Sequence, residues 1–380
     1  MTGVRDAMIV AGGAGTRLRP LTDTTPKPLL PFCGEPFLAS VLRRLASAGV
    51  ERVWLVVGPD PTPFRVLDPV AAELGLQLRA VPEPTPLDTA GGVRSAISAC
   101  AGSVLVLNGD VLTDLDLAEV VRNHLDAGAD ATLVLTRVED TSAYGVCVLE
   151  GTRITGFVEK PPPGTLVGQD AVNAGTYVLS PGVMERFPTG RLSFERQVFP
   201  RLVEEGAHLQ GLVSDAVWAD LGTPQRYLAG HRMALRGALA WPVRTGSVAD
   251  EQGVRRGDGV RVEAGAQVIG PVLLADRAVV EAGARVGPDV VLGAGARVAR
   301  DAEVRDAVLG AETVVEAGSR VHACATGSGA RIAAGVVIEG PQLVGDGAVV
   351  TGPGGAGAGR AGAAGSEAAD TAGGAGSGAM

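Results

Sequence analysis

The sequence predicts a chain in two parts, an α/β domain on a mostly parallel sheet followed by a parallel β-helix. Up to about residue 235, short apolar runs alternate with amphipathic stretches, the pattern of strands joined by helices. Beyond Trp241-Pro242 helix signals fade, and an aliphatic residue returns at every sixth position. With 380 residues and 46% hydrophobic content, the chain can bury more than one core.

The clearest strands of the first part are Ala7 to Ala11, Arg52 to Gly58, Val104 to Asn108 and Ala131 to Val138. Between the first two, Leu38, Val41, Leu42 and Leu45 fall on one face of a helix that Gly49 is placed to end. In the second part Val262, Val268, Leu274, Val280, Val286, Leu292, Val298 and Val304 recur without a break. The series resumes out of phase at Leu309, Val315 and Val321, and again at Ile332, Ile338, Val344 and Val350. A six-residue period places one aliphatic side chain per short strand on a shared axis, so successive coils stack. The expected division is 1–238 for the α/β domain, 239–258 for a linker, 259–351 for the β-helix and 352–380 for a disordered Gly/Ala-rich tail.

The first strand runs into Gly12-Gly13-Ala14-Gly15-Thr16-Arg17, where glycines let backbone N–H groups approach an anion and Arg17 adds a permanent charge. A Walker A loop would need Gly-Lys followed by Ser or Thr, and a dinucleotide fingerprint would need glycine where Leu18 stands. Taken alone, such a turn reads equally well as a tight connection. Pro26-Lys27-Pro28 then holds a lysine between two restricted residues, a way to fix one cation against phosphate.

Gly12-Gly13-Ala14-Gly15-Thr16-Arg17-Leu18-Arg19-Pro20-Leu21-Thr22, followed by Pro26-Lys27-Pro28-Leu29, resembles the signature of the sugar-1-phosphate nucleotidyltransferases. The likeness is greatest to the branch that uses GTP and mannose 1-phosphate, and it spans both parts of the chain. It implies a Rossmann-like catalytic domain, a left-handed sense for the β-helix, Mg²⁺, and joining of an NTP to a sugar 1-phosphate with release of pyrophosphate. Arg17 and Lys27 would hold the triphosphate over Gly12, Gly13, Gly15 and Thr16.

Two carboxylates suit a hard cation. The strand Val104 to Asn108 ends in Gly109-Asp110, at the carboxyl edge where open α/β sheets place their ligand crevice. A second short apolar run, Trp218-Ala219-Asp220, ends in an acid before Gly222-Thr223-Pro224. One carboxylate from each, with phosphate oxygens and water, meets the ligand preference of Mg²⁺. By resemblance Asp110 and Asp220 match the two metal-binding aspartates of the family.

Glu159-Lys160 pairs an acid with a base, and Asn173-Ala174-Gly175 offers an amide beside a small-residue turn. In isolation both read as plain surface; the resemblance gives Glu159, Lys160, Asn173 and Gly175 a place at the sugar phosphate. The loop Glu83 to Gly92 resembles the base-contacting stretch, with Asp88 where most relatives carry glycine. A carboxylate accepts from the two adjacent N–H groups of guanine, so Glu83 or Asp88 is a candidate for base choice, the alternative being a solvated loop acid.

The 42 carboxylates against 33 Lys plus Arg argue against a nucleic-acid footprint. Cys33, Cys100, Cys147 and Cys324 are too scattered for a disulfide framework or zinc site, and no run is long enough to span a membrane. A soluble cytoplasmic homo-oligomer is expected. Three other functions stay open: adenylyl, uridylyl or thymidylyl transfer to glucose 1-phosphate; a non-catalytic regulatory protein binding NDP-sugar; and a second, acyl-transferring activity resting on His322 in the repeats.

Overall fold

A computed structural model describes residues 4–162, 170–241 and 248–352. Among these, the principal sheet has nine strands, in the order Gln77–Pro82, Arg52–Val57, Asp6–Val10, Val104–Asn108, Ala171–Leu179, Ala131–Arg137, Leu209–Val213, Arg153–Glu159 and Gly145–Glu150. Asp6–Val10 lies centrally, with Ala7 beside Val53 on one side and Leu105 on the other, both pairings parallel. Ala7 and Ile9 enter one core and Met8 the opposite one, so helices and loops cover both faces. This arrangement is the Rossmann-like half.

The sheet is less parallel than the sequence suggests. Its first four strands are parallel, whereas Ala171–Leu179 runs antiparallel to Val104–Asn108 and Ala131–Arg137, and the last two strands form an antiparallel hairpin. Direction is hidden because Ala171–Leu179, though antiparallel, is buried on both faces, with Val178 in one core and Tyr177 and Leu179 in the other, and so reads as the continuous apolar run of a parallel strand. The expected helix spans Phe37–Ser47, with Gly49 just past its end at φ 88°, a conformation suited to glycine.

The second half is a left-handed parallel β-helix of three sheets, with six, six and five strands among the described residues. From Leu274 to Val350 every residue of the six-residue series is buried at 4% exposure or less, whereas Val262 in the first coil is 40% exposed. A fully buried Val or Leu contributes about 1.5–3 kcal/mol, so the stacked axis is the main stabilising element of this half. The phase break after Val304 has a simple cause: the coil from Val290 to Ala307 is one residue shorter than that from Val272 to Val290. The gap after Val321 is filled by Thr326, buried beside Val344, its hydroxyl 2.9 Å from that of Thr313 and accepting from the Gly310 N–H at 3.0 Å.

The two halves share a core. Leu273, Val291, Val308 and Ala325, facing outward from one β-helix sheet, join the cluster that contains Leu235, Leu239 and Trp241. At its edge Arg236 grips buried Asp289 at 2.6 and 2.9 Å, and Arg232 lies 3.3 Å from Asp306. Part of the expected linker, 242–247, and all but the first residue of the expected tail fall outside the described residues. Among the described residues no helix is long and apolar enough to cross a membrane.

Candidate active site

The site is assembled by a two-stranded ribbon at the carboxyl edge of the main sheet. Val111–Thr113 pairs antiparallel with Trp218–Asp220, setting Asp220 opposite Val111, and the Leu221 N–H donates to the Asp110 carbonyl at 3.2 Å. The two aspartates thereby become neighbours. Both carboxylates meet the same ammonium group: Lys27 Nζ lies 2.5 Å from Asp110 Oδ2 and 3.4 Å from Asp220 Oδ1. The Lys27 side chain is only 10% exposed, held in a short 3₁₀ turn between its two prolines.

Asp220 Oδ2, the outer oxygen, accepts from Arg226 Nη1 at 2.9 Å, and Arg17 Nη2 lies 3.9 Å away. Arg226 comes from the first turn of the Pro224–Leu235 helix, which Thr223 caps through its hydroxyl. Its second nitrogen donates to the Tyr144 hydroxyl at 2.9 Å. The Tyr144 ring packs edge-on against Trp218, and its carbonyl accepts from the Lys160 N–H at 2.9 Å.

These groups wall a cleft of about 460 Å³ whose lining includes Arg17, Asp88, Asp110, Glu159, Lys160, Asn173 and Asp220. Lys160 Nζ sits 3.4 Å from Glu159 Oε1 and is largely exposed to the cleft. Asn173 is partly committed within its own strand, donating to the Tyr177 hydroxyl at 2.7 Å and accepting from the Gly175 N–H at 2.9 Å. That last bond closes a bulge in which Gly175 has φ 75° and a Cβ would stand 2.5 Å from Asn108 Nδ2, so only glycine fits.

The glycine-rich loop lies beside this cleft. Gly12 and Gly13 line an adjoining hollow with Thr22, Asp23 and Gly58, and Thr16 opens a short 3₁₀ turn that carries Arg17. Gly15 is left-handed at φ 59°, and its carbonyl accepts from Thr22 Oγ1 at 2.9 Å. Its close approach to Lys27, whose Cβ would be 3.0 Å from a Gly15 Cβ, joins the loop to the carboxylate pair. Gly109 follows the strand end, its N–H bonded to the Val10 carbonyl at 2.8 Å.

Glu83 lies beneath Gly12, 7% exposed, and its Oε1 has no hydrogen-bond partner. Burial raises its pKa above the usual carboxylate value; the Leu87 N–H opposes this and the Asp88 charge adds to it. Asp88 is occupied differently. It sits at φ 66°, a conformation that glycine adopts readily, and its carboxylate is held by Arg196 at 2.8 Å, with Arg191 at 3.6 Å. Of the two acids considered for base choice, only Glu83 keeps an unpaired oxygen.

Sequence reasoning missed Arg226, Tyr144 and Arg196. Each is a polar residue in a loop or first helical turn with no periodic or motif signal, and each becomes visible only through its partner. No group of three His, Cys, Asp or Glu side chains gathers as a metal cage among the described residues. The Asp110–Asp220 pair nevertheless suits a divalent cation that takes its other ligands from phosphate and water.

The nucleotidyl transferase family model matches residues 6–237, and the GMPPB C-terminal domain model matches residues 268–353. The chain is 41% identical over 290 residues to mannose-1-phosphate guanylyltransferase of Mycobacterium tuberculosis, covering 74% of this chain and 77% of that protein. It is 34% identical over 333 residues to probable mannose-1-phosphate guanylyltransferase 1 of Oryza sativa subsp. japonica, covering 86% and 82%. Among solved structures, that of HddC from Yersinia pseudotuberculosis is similar with TM-score 0.50 and 28% identity, over 60% of this chain and 97% of that one.

Proposed function

The chain belongs to the nucleotidyl transferase family, and from that premise we propose that it transfers GMP from GTP to mannose 1-phosphate, or to a closely related hexose or cyclitol 1-phosphate, releasing pyrophosphate. The observation that carries this reading is the convergence of Asp110 and Asp220 on Lys27, between a glycine-rich loop and the exposed ammonium of Lys160. The names of the mycobacterial and rice relatives favour GTP and mannose 1-phosphate.

The sugar-phosphate oxygen is already anionic and needs no general base to attack the α-phosphorus. The main task for the protein is to bring two anions together and neutralise charge as the pyrophosphate leaves. The backbone of Gly12, Gly13, Gly15 and Thr16 would receive the triphosphate, with Arg17 toward the leaving pyrophosphate and Lys27 beside the α-phosphate. Lys160 would neutralise the incoming sugar phosphate. Glu159, Asn173 and Gly175 would shape the sugar side of the cleft, with Gly109 passing close beneath the nucleotide.

The family uses a divalent metal, and we assign Mg²⁺ to Asp110 and Asp220; when bound it would supply Lewis-acid polarisation and charge neutralisation at the phosphates. Glu83, with its unpaired oxygen, is the acid we assign to guanine. Asp88 we assign to ordering the loop, through Arg196. We take 1–238 as the transferase unit and 259–351, preceded by the strand Val254–Arg256 that pairs with Val272–Leu274, as the β-helix unit of a cytoplasmic homo-oligomer.

The test is Mg²⁺-dependent pyrophosphate release from a matrix of NTPs against mannose, glucose, galactose, N-acetylglucosamine and cyclitol 1-phosphates. Turnover confined to GTP with mannose 1-phosphate or a near analogue supports the reading. A preference for ATP, UTP or dTTP with glucose 1-phosphate, or no turnover at all, overturns it.

A further inference from the structure

The two oxygens of Asp220 are used unequally. Oδ1 accepts from Lys27 Nζ at 3.4 Å, whereas Oδ2 is held by Arg226 at 2.9 Å with Arg17 Nη2 3.9 Å away. Arg226 is itself pinned, since its other nitrogen donates to the Tyr144 hydroxyl at 2.9 Å. A planar guanidinium engaged at both ends cannot leave one partner without losing the geometry of the other. The helix that carries it is anchored at its far end by Arg232 on Asp306 and, just beyond, by Arg236 on Asp289.

We infer that Arg226 is a specificity-determining residue for the divalent cation, acting by keeping Asp220 a one-oxygen ligand. The inference rests on the transferase reading and deepens it. Small cations such as Mg²⁺ demand near-octahedral geometry and accept single carboxylate oxygens, whereas the larger Ca²⁺ takes six to eight oxygens and readily uses both oxygens of one carboxylate. With Oδ2 occupied, a cation that takes the place of the Lys27 ammonium between the two carboxylates meets one oxygen from Asp220 beside the Asp110 carboxylate. That favours the smaller ion. Released from Arg226, Asp220 could turn both oxygens inward and take the larger one.

The experiment measures Mn²⁺ binding by electron paramagnetic resonance on the full-length protein, with and without GTP, displaced by Mg²⁺ or by Ca²⁺. In Arg226→Ala the ratio of Ca²⁺ to Mg²⁺ affinity is expected to rise by about fivefold or more. Arg226→Lys, which keeps the charge but cannot bridge both partners, should fall between Ala and wild type, and Tyr144→Phe should move the ratio the same way by less. Loss of positive charge alone would tighten both ions together and leave the ratio unchanged. Thermal melts establish that each variant is folded. An unchanged ratio in folded Arg226→Ala, or wild-type protein that binds no Mn²⁺ in either condition, overturns the inference. Because displacement is read without turnover, a wild type that binds Mn²⁺ but transfers no nucleotide would count against the transferase reading alone.

Discussion

Asp110 and Asp220 stand side by side because one backbone hydrogen bond, from the Leu221 N–H to the Asp110 carbonyl at 3.2 Å, ties the ends of a three-residue ribbon. The carboxylates are thus placed by main chain, and substitutions that preserve shape will test their charge and not their position. Asp110→Asn is expected to lower kcat by at least about a hundredfold, the scale of losing one metal-based electrostatic contribution. Asp220→Asn should do the same. Steady-state kinetics with near wild-type turnover in either variant would remove that residue from the mechanism.

Glu83 has one buried oxygen without a hydrogen-bond partner, set close against Gly92. Glu83→Gln should lower kcat/KM for GTP by about tenfold or more, the equivalent of losing roughly 1–3 kcal/mol of charged hydrogen bonding, and should leave ATP nearly unaffected. Equal losses for both nucleotides would show that Glu83 supports the glycine loop and does not choose the base.

Gly175 cannot be replaced without conflict, since its φ is 75° and a Cβ would press on Asn108. Gly175→Ala should cost about 1–3 kcal/mol in denaturant unfolding. It should also raise KM for the sugar phosphate, because the bulge aims Asn173 and Ala174 into the cleft. A stable variant with unchanged KM would separate the bulge from the substrate.

The protein should lose stability in mild acid. His124, between Thr132 and Ser180, and His231, against the Tyr227 carbonyl, are both buried, and burial lowers each pKa from 6.5 to about 4. The unfolded chain therefore binds more protons between these values, so stability falls as pH drops from about 6.5 toward 4, by on the order of 3 kcal/mol per ring. Urea melts across this range should show the slope, and His124→Gln should flatten part of it. A flat profile in the wild type would mean that the rings protonate without cost.

Much of this was legible beforehand, for identifiable reasons. The axial valines and leucines announced the β-helix because a six-residue period is imposed by the coil itself, and Thr326 escaped notice because a hydroxyl satisfied by Thr313 can occupy an aliphatic slot. Lys27, Asp110 and Asp220 stand out as candidates in the sequence because each sits in a rigid local frame of prolines, strand end or capped turn, and the structure brings the three side chains into contact. Arg226 and Tyr144 were not, since their importance lies in a contact between segments far apart in sequence. The asymmetry between Glu83 and Asp88 was equally hidden: it depends on Arg196, which approaches from another element altogether.

The row of Leu273, Val291, Val308 and Ala325 gives the repeats a second meaning. A solenoid is ordinarily a structure that can be shortened coil by coil, each loss costing one interface. Here successive coils each contribute a side chain to the wall of the neighbouring half, so trimming the repeats erodes the transferase as well. For anyone trimming the chain, a cut at the boundary drawn by repeat periodicity would uncover Leu235, Leu239 and Trp241, the apolar surface those four side chains cover.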